Sequence, residues 1–384
     1  MAVVPAGNPI PSPLSAGEGT DLPRIKRIDT YKAYQDREGI PVLNGFGVED
    51  IKAVELGQWT RRGGRGAFVD LDGNGGINDA YICEIPAGGA LAPQRQLYEE
   101  MIYVVSGNGS TSVWNNPGAK ISFEWKAGSL FAIPLNAFHQ HFNGSGQQAA
   151  RFLAVTSAPV VMNLFHNLDF VFDTPYGFSD RFAGQDQYFG GQGKLHWDRV
   201  LETNFVPDVN TIELYTWKER GAGGKNVRFE LAHNSMAAHV SQFPVGTYKK
   251  GHRHGPGAHV IILSGTGYSL LWPEGEEGQR RKFDWKPGGL VVPPRQWFHQ
   301  HFNSGPEPAR YLALRWGSRR YKMSEAFSQG EGKTDVDVKH GGSQIEYEDE
   351  ARDIHELFEA ELRRNGAPCR MKTMVDWCSA EHQS

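Results

Sequence analysis

The sequence predicts an all-β fold in which one strand-rich domain is used twice. Three observations lead there. Turn formers and aromatics are abundant, with 46 Gly, 22 Pro, 21 Phe, 13 Tyr and 10 Trp in 384 residues, which favours many short strands. A long motif recurs: Phe123-Glu-Trp-Lys-Ala-Gly with Phe138-His-Gln-His-Phe-Asn143 returns as Phe283-Asp-Trp-Lys-Pro-Gly with Phe298-His-Gln-His-Phe-Asn303, at an offset of 160. Upstream, Ser106-Gly-Asn-Gly and Trp114 return as Ser264-Gly-Thr-Gly and Trp272 at an offset of 158. The difference falls in a connecting loop, where insertions cost little. Finally, apolar runs such as 80–83 and 101–105 stand between Gly-rich turns and read as strands.

In chain order, residues 1–47 form an N-terminal arm: 1–22 are rich in Pro, Gly and Ser, and 29–37 read as a short helix. Residues 48–158 make the first β domain, 159–207 a linker with a helical turn at 162–172 and a loop at 182–193, and 208–318 the second β domain. A tail, 319–384, follows. Within it 349–364 sets Ile354, Leu357, Phe358 and Leu362 on one helical stripe, stopped by Asn365, Gly366 and Pro368. Such a helix packs on a barrel or on a neighbouring subunit.

Composition narrows the function. A net charge of -4 with interspersed signs excludes an electrostatic nucleic-acid binder. No stretch approaches the ~20 apolar residues that span a bilayer, and the start lacks the pattern of a signal peptide. A cytoplasmic protein is expected. The three cysteines, Cys83, Cys369 and Cys378, are too few and scattered for a disulfide framework or a zinc ribbon, so free thiols are expected although the last two share the tail.

The chemistry concentrates in the second domain. His252 and His254 are one residue apart, and on a strand they share a face. His299, from the repeated His-Gln-His, supplies a third imidazole. Three neutral imidazoles suit a transition metal and leave positions open for substrate. His301 follows on the same side and is the candidate for orienting a ligand or moving protons, although its twin His141 points to a structural share. His259 reads as outward-facing and on the surface, and Asn303 as pinning a turn. Trp272, Trp297 and Trp316 read first as core, with Trp297 and Arg315 as candidate substrate contacts. In the first domain Gln94 and Gln96 stand where the paired histidines would be, with Glu100 and His139 remaining, so that domain reads as structural.

At these residues the chain resembles the cupins, and among them the two-barrel bicupins. Gly246, His252, His254 and Gly265 fit the first cupin motif, with Ala258 in place of its Glu; Gly288, Pro294, His299 and Asn303 fit the second. The resemblance implies two tandem jelly-roll barrels with a metal inside. The missing Glu looks like the gentisate and salicylate 1,2-dioxygenase group, which implies iron(II) and an anionic chelating substrate, an aromatic hydroxy-acid, reacting with O2. Zinc, manganese, nickel and copper are the other ions such a set takes. That group carries an arginine two positions after the alanine, where this chain has Val260, so the anion needs another anchor such as Arg295 or Arg315. The expectation is therefore a homo-oligomeric iron-dependent dioxygenase with its metal on His252, His254 and His299. A non-redox metal-dependent hydrolase, lyase or isomerase is the alternative, told apart by oxygen-independent turnover. A non-catalytic binding bicupin is the third reading.

Overall fold

The computed structural model describes residues 25–115, 119–323 and 335–379. The arm expected over 1–22 lies outside the described residues.

Two barrels follow one another, each a large sheet facing a three-stranded one. In the first, the large sheet runs in the order Gly64–Val69, Asp79–Ile85, Ala150–Thr156, Glu100–Ser106, Leu130–Ile133; in the second, Lys225–Glu230, Met236–Phe243, Ala309–Trp316, His259–Ser264, Leu290–Val291. The order is the same. The small sheets are Phe138–Asn143, Asn108–Trp114, Ile121–Lys126 and Arg281–Trp285, Gly267–Trp272, Phe298–Asn303.

Side-chain alternation explains why strands such as Glu100–Ser106 read as unbroken apolar runs. Ile102 and Val104 point into their own barrel, whereas Met101, Tyr103 and Val105 join a second cluster. That second cluster also takes Val227, Phe229, Val240, Leu312 and Leu314, so it is the seam between the barrels. Burying one such aliphatic side chain contributes about 1.5–3 kcal/mol. Polar groups cross the seam as well. The Glu99 carboxylate accepts from Ser235 N (2.8 Å) and Met236 N (2.9 Å), and Asn78 Nδ2 donates to Gly257 O (2.8 Å).

The barrels also exchange edge strands. Gly47–Val48, ahead of the first barrel, pairs with Leu290–Val291 of the second; Phe205–Val206, ahead of the second, pairs with Leu130–Ile133 of the first. The exchange is symmetric. Ile51 N donates to Gly288 O and Val209 N to Gly128 O, both at 2.8 Å. Gly128 and Gly288 have φ of 93° and 94°, and a Cβ at either would stand 2.5 Å from the Asp208 or Asp50 carboxylate, so glycine is required at both.

Among the described residues, four α-helices decorate the barrels. α1 (Thr30–Glu38) is capped by the Asp29 carboxylate on Lys32 N. α2 (Ala158–Phe165) and α3 (Leu168–Asp173) fall where a helical turn was expected. α4 (Arg352–Asn365) ends at Gly366 with φ 65° and buries Ile354, Phe358 and Leu362. They pack against Tyr248, Tyr268 and Phe302 on the outer face of the second small sheet, so α4 lies on a barrel of its own chain. No helix among the described residues is long and apolar enough to cross a membrane.

Candidate metal centre

His252 and His254 lie on the turn before His259–Ser264, and His299 on Phe298–Asn303. A backbone bridge pairs His252 with His299, each donating its N–H to the other's carbonyl at 3.1 and 2.9 Å. The three side chains meet inside the second barrel, all buried, with their potential ligand atoms within 4.8 Å of one another. Ring centroids are 4.2 Å apart for His252 and His299, 4.5 Å for His254 and His299, and 5.7 Å for His252 and His254.

Their tautomers suit coordination. Each Nδ1 faces a main-chain carbonyl: Lys250 O at 3.1 Å for His252, Gly255 O at 2.7 Å for His254, and Trp297 O at 3.2 Å for His299. A carbonyl only accepts, so each Nδ1 carries the proton and each Nε2 keeps its lone pair. Burial, reinforced by Arg220 and by the neighbouring imidazoles, holds the His252 and His254 pKa values well below the ordinary range; burial takes His299 down to about 4. All three are neutral at pH 7.

The other expected residues divide. His301 is buried, with Nδ1 2.7 Å from Ser269 Oγ, which also accepts from Trp285 Nε1 at 3.1 Å. The first barrel repeats this chain as His141, Thr111 and Trp125, so the arrangement holds the small sheets together. His301 also lies between the rings of His299 (5.7 Å) and Tyr311 (5.6 Å), tilted against both, beside the centre. Arg315 shares the inward face of its strand with Tyr311, and its charge helps depress His254. The half-buried Trp297 ring packs on Phe46 (5.8 Å) and below Arg281 (5.3 Å), leaving its carbonyl as its link to the centre. Trp272 faces α4 rather than a pocket. Asn303 donates to Phe243, Pro244 and Glu307 carbonyls and accepts from Gly305 N, which pins the turn. His259 needs a correction: it does point out of its barrel, but it is 0 % exposed, because the first barrel covers that face near Asn78 and Gly73.

Residues not singled out from sequence complete the lining. Lys249 Nζ donates to Tyr311 Oη at 2.8 Å inside the barrel. Burial lowers the Lys249 pKa; burial alone would raise the Tyr311 phenol, but the Lys249 ammonium brings it below its ordinary value. His239 sits against Tyr311, its ring centroid 5.8 Å away. Arg220 is buried over Trp217 (4.9 Å), held by Gln344 Oε1 and Asp335 Oδ1, both at 3.2 Å. A sequence signal for Arg220 existed: Trp59-Thr-Arg-Arg62-Gly63 recurs as Trp217-Lys-Glu-Arg220-Gly221 at an offset of 158.

That repeat makes the first barrel a direct comparison. Gln94 bridges His139 as His252 bridges His299. Gln94 Nε2 lies 3.3 Å from Gln96 Oε1 and 3.4 Å from His139 Nε2, while Gln96 donates to Glu100 Oε2 at 3.1 Å. Glu100 also accepts from Tyr81 and lies 3.6 Å from His139 Nε2. Amides and a carboxylate thus occupy one another where the second barrel gathers imidazoles, and the buried Arg62 sits in the field of Glu100. In the second barrel Ala258 replaces Glu100, and the corresponding cation, Arg220, has no carboxylate from that position.

No protein family and no curated protein matches the chain. Similar solved structures include Bacillus subtilis oxalate decarboxylase, described with Mn(II) centres, at 15% identity and a TM-score of 0.47, covering 73% of this chain and 79% of that one. A second oxalate decarboxylase structure, on substrate binding and a reaction specificity switch, has 14% identity, a TM-score of 0.48 and coverage of 81% and 89%. The Lactobacillus farciminis enzyme, as a formate complex, has 13% identity, a TM-score of 0.46 and coverage of 70% and 85%. On the showing of its own sheets, the chain folds as two tandem jelly-roll barrels with a three-histidine cluster in the second.

Proposed function

We propose that this chain is a metal-dependent enzyme whose centre, His252, His254 and His299, acts on a small anionic substrate that chelates the ion through oxygen. The observation carrying this reading is the exchange of Glu100 for Ala258 between equivalent sites. The cluster of three neutral imidazoles takes in no carboxylate among the described residues, while Arg315 and Lys249 supply positive charge beside an Arg220 that Asp335 already partners. A substrate carboxylate restores the balance that Glu100 provides internally in the first barrel. Arg315 is then its anchor, the role that Val260 cannot fill, with Arg220 shared between the substrate and Asp335.

A divalent ion held by the histidines would polarise the bound oxygens. The reaction class we favour is non-redox, a lyase or isomerase step, because Lys249 and Tyr311 form a buried, hydrogen-bonded pair of groups that can carry a proton. Tyr311 would deliver or take the substrate proton and Lys249 would hold the phenol's charge. His301 orients Tyr311 and His299 from between them. Manganese, iron and zinc all suit this ligand set. The second reading is the iron(II) dioxygenase, favoured by the carboxylate-free triad, which leaves open positions for chelation and O2 together.

Oxygen dependence separates the two. Turnover of a panel of small carboxylates and aromatic hydroxy-acids, metal supplied, would be followed with and without O2. Undiminished anaerobic turnover supports the proton-transfer reading; stoichiometric O2 uptake replaces it with the dioxygenase. No turnover on any member with any of these metals would sink the enzyme. For the proton pair, Lys249→Met is expected to lower kcat by about 10²–10⁴ with the metal content unchanged. A normal kcat in that variant would remove Lys249 and Tyr311 from the mechanism.

A further inference from the structure

Behind the second barrel the tail brings four metal-ligating side chains to one point. His355 and Glu359 stand one turn apart on α4, and therefore on one face. After Gly366 the chain folds back, returning Cys369 and then Cys378 against that face. The ligand atoms of all four lie within 4.8 Å of one another. His355 Nε2 is 3.2 Å from Glu359 Oε1, Cys378 Sγ is 3.5 Å from the same oxygen, and the two sulfurs are 3.6 Å apart.

The separation of the sulfurs discriminates. It far exceeds a disulfide bond of about 2.0 Å. Two thiolates bound at about 2.3 Å to one tetrahedral ion stand about 3.8 Å apart, close to what is seen. Outer contacts orient the remaining ligands. Tyr248 Oη donates to Glu350 Oε1 at 2.6 Å and lies 3.1 Å from His355 Nδ1. With its hydrogen committed to Glu350, Tyr248 accepts from His355 Nδ1–H, which leaves the Nε2 lone pair aimed at the cluster. Glu359 is fixed by Ser379, through N at 2.8 Å and through Oγ.

We propose that His355, Glu359, Cys369 and Cys378 form a second metal site, one that binds zinc and is structural. Two soft sulfurs, an imidazole and a carboxylate are a four-ligand tetrahedral set, which selects zinc over magnesium, calcium or manganese. The set is closed, unlike the three-histidine centre. It fastens the segment after Gly366 to α4, whose Phe358 and Leu362 cover the second barrel's small sheet. Through Tyr248 it also stands behind the stretch leading to His252. Zinc here thus braces the wall that carries the centre, without taking part in turnover.

The test is metal analysis of protein purified without added metal, alongside Cys378→Ser and His299→Ala, with thiol alkylation. Zinc near one per chain that persists in His299→Ala and is lost in Cys378→Ser is the expected result. Metal lost in His299→Ala instead reports on the barrel centre, so the two sites fail separately. In the wild-type protein Cys369 and Cys378 should resist alkylation until a chelator is added, a readout that stands even if Cys378→Ser does not fold. Cobalt replacing the zinc should give a thiolate charge-transfer absorption that survives His299→Ala. The proposal is overturned by zinc retained in full in Cys378→Ser, by alkylation of both thiols that chelator does not change, or by a mass two units low, which would report a disulfide.

Discussion

Replacing His299 with alanine is expected to empty the second-barrel centre and abolish turnover. His299 is the middle ring of the cluster, nearer to His252 and His254 than they are to each other. It is also the one ligand contributed by the Phe298–Asn303 strand, so without it two imidazoles from a single turn remain. Loss of an outer hydrogen-bond partner costs metal affinity about 10–100-fold, and loss of a ligand should cost more than about 100-fold. Because the imidazole's one main-chain contact is the Trp297 carbonyl, the fold should survive, as circular dichroism would show. Titrating the metal with and without the substitution measures the effect. Affinity unchanged within threefold or so would place the metal elsewhere.

The largest stability effect is expected far from that centre, at Glu99. Its carboxylate sits in the first barrel yet accepts both Ser235 N and Met236 N of the second, with Arg181 3.5 Å away. Burial raises its pKa, and the two N–H bonds oppose that rise. Glu99→Ala leaves the buried Met236 N–H, the half-buried Ser235 N–H and the half-buried Arg181 guanidinium without their acceptor, and should cost about 3 kcal/mol. Glu99→Gln keeps an acceptor and should cost about 1–2 kcal/mol. Chemical denaturation of the three proteins gives both values. A Glu99→Ala cost below about 1 kcal/mol would show that water reaches the seam.

Much of this molecule is legible in its sequence. The repeated His-Gln-His-Phe-Asn and Trp-Lys-x-Gly motifs mark equivalent strands, and the two domains share one strand order. His252, His254 and His299 do meet, although His252 and His254 lie on a turn and not on the strand that parity assumed, and α4 formed on the stripe of Ile354, Phe358 and Leu362. What parity cannot convey is what covers a face. His259 points outward as expected, and only the docking of the first barrel makes it buried. The exchanged strands are two residues long, too short for any periodicity to register. Lys249, His239 and Tyr311 were visible as residues but meet across separate strands. The tail cysteines, nine positions apart, match no common zinc spacing; the residues they meet lie on a helix that only folding brings alongside.

The swapped edges bear on how such a chain could have arisen and how it comes apart. A duplicated barrel that kept all its own strands would give two halves able to live separately. Here the piece that seals each half lies upstream of the other, so neither half made alone would close its sheet. A nick in the connector should therefore leave the two fragments clasped together, migrating as one particle until a denaturant frees them. The two copies thus behave as a single unit, each needing the other to complete its sheet.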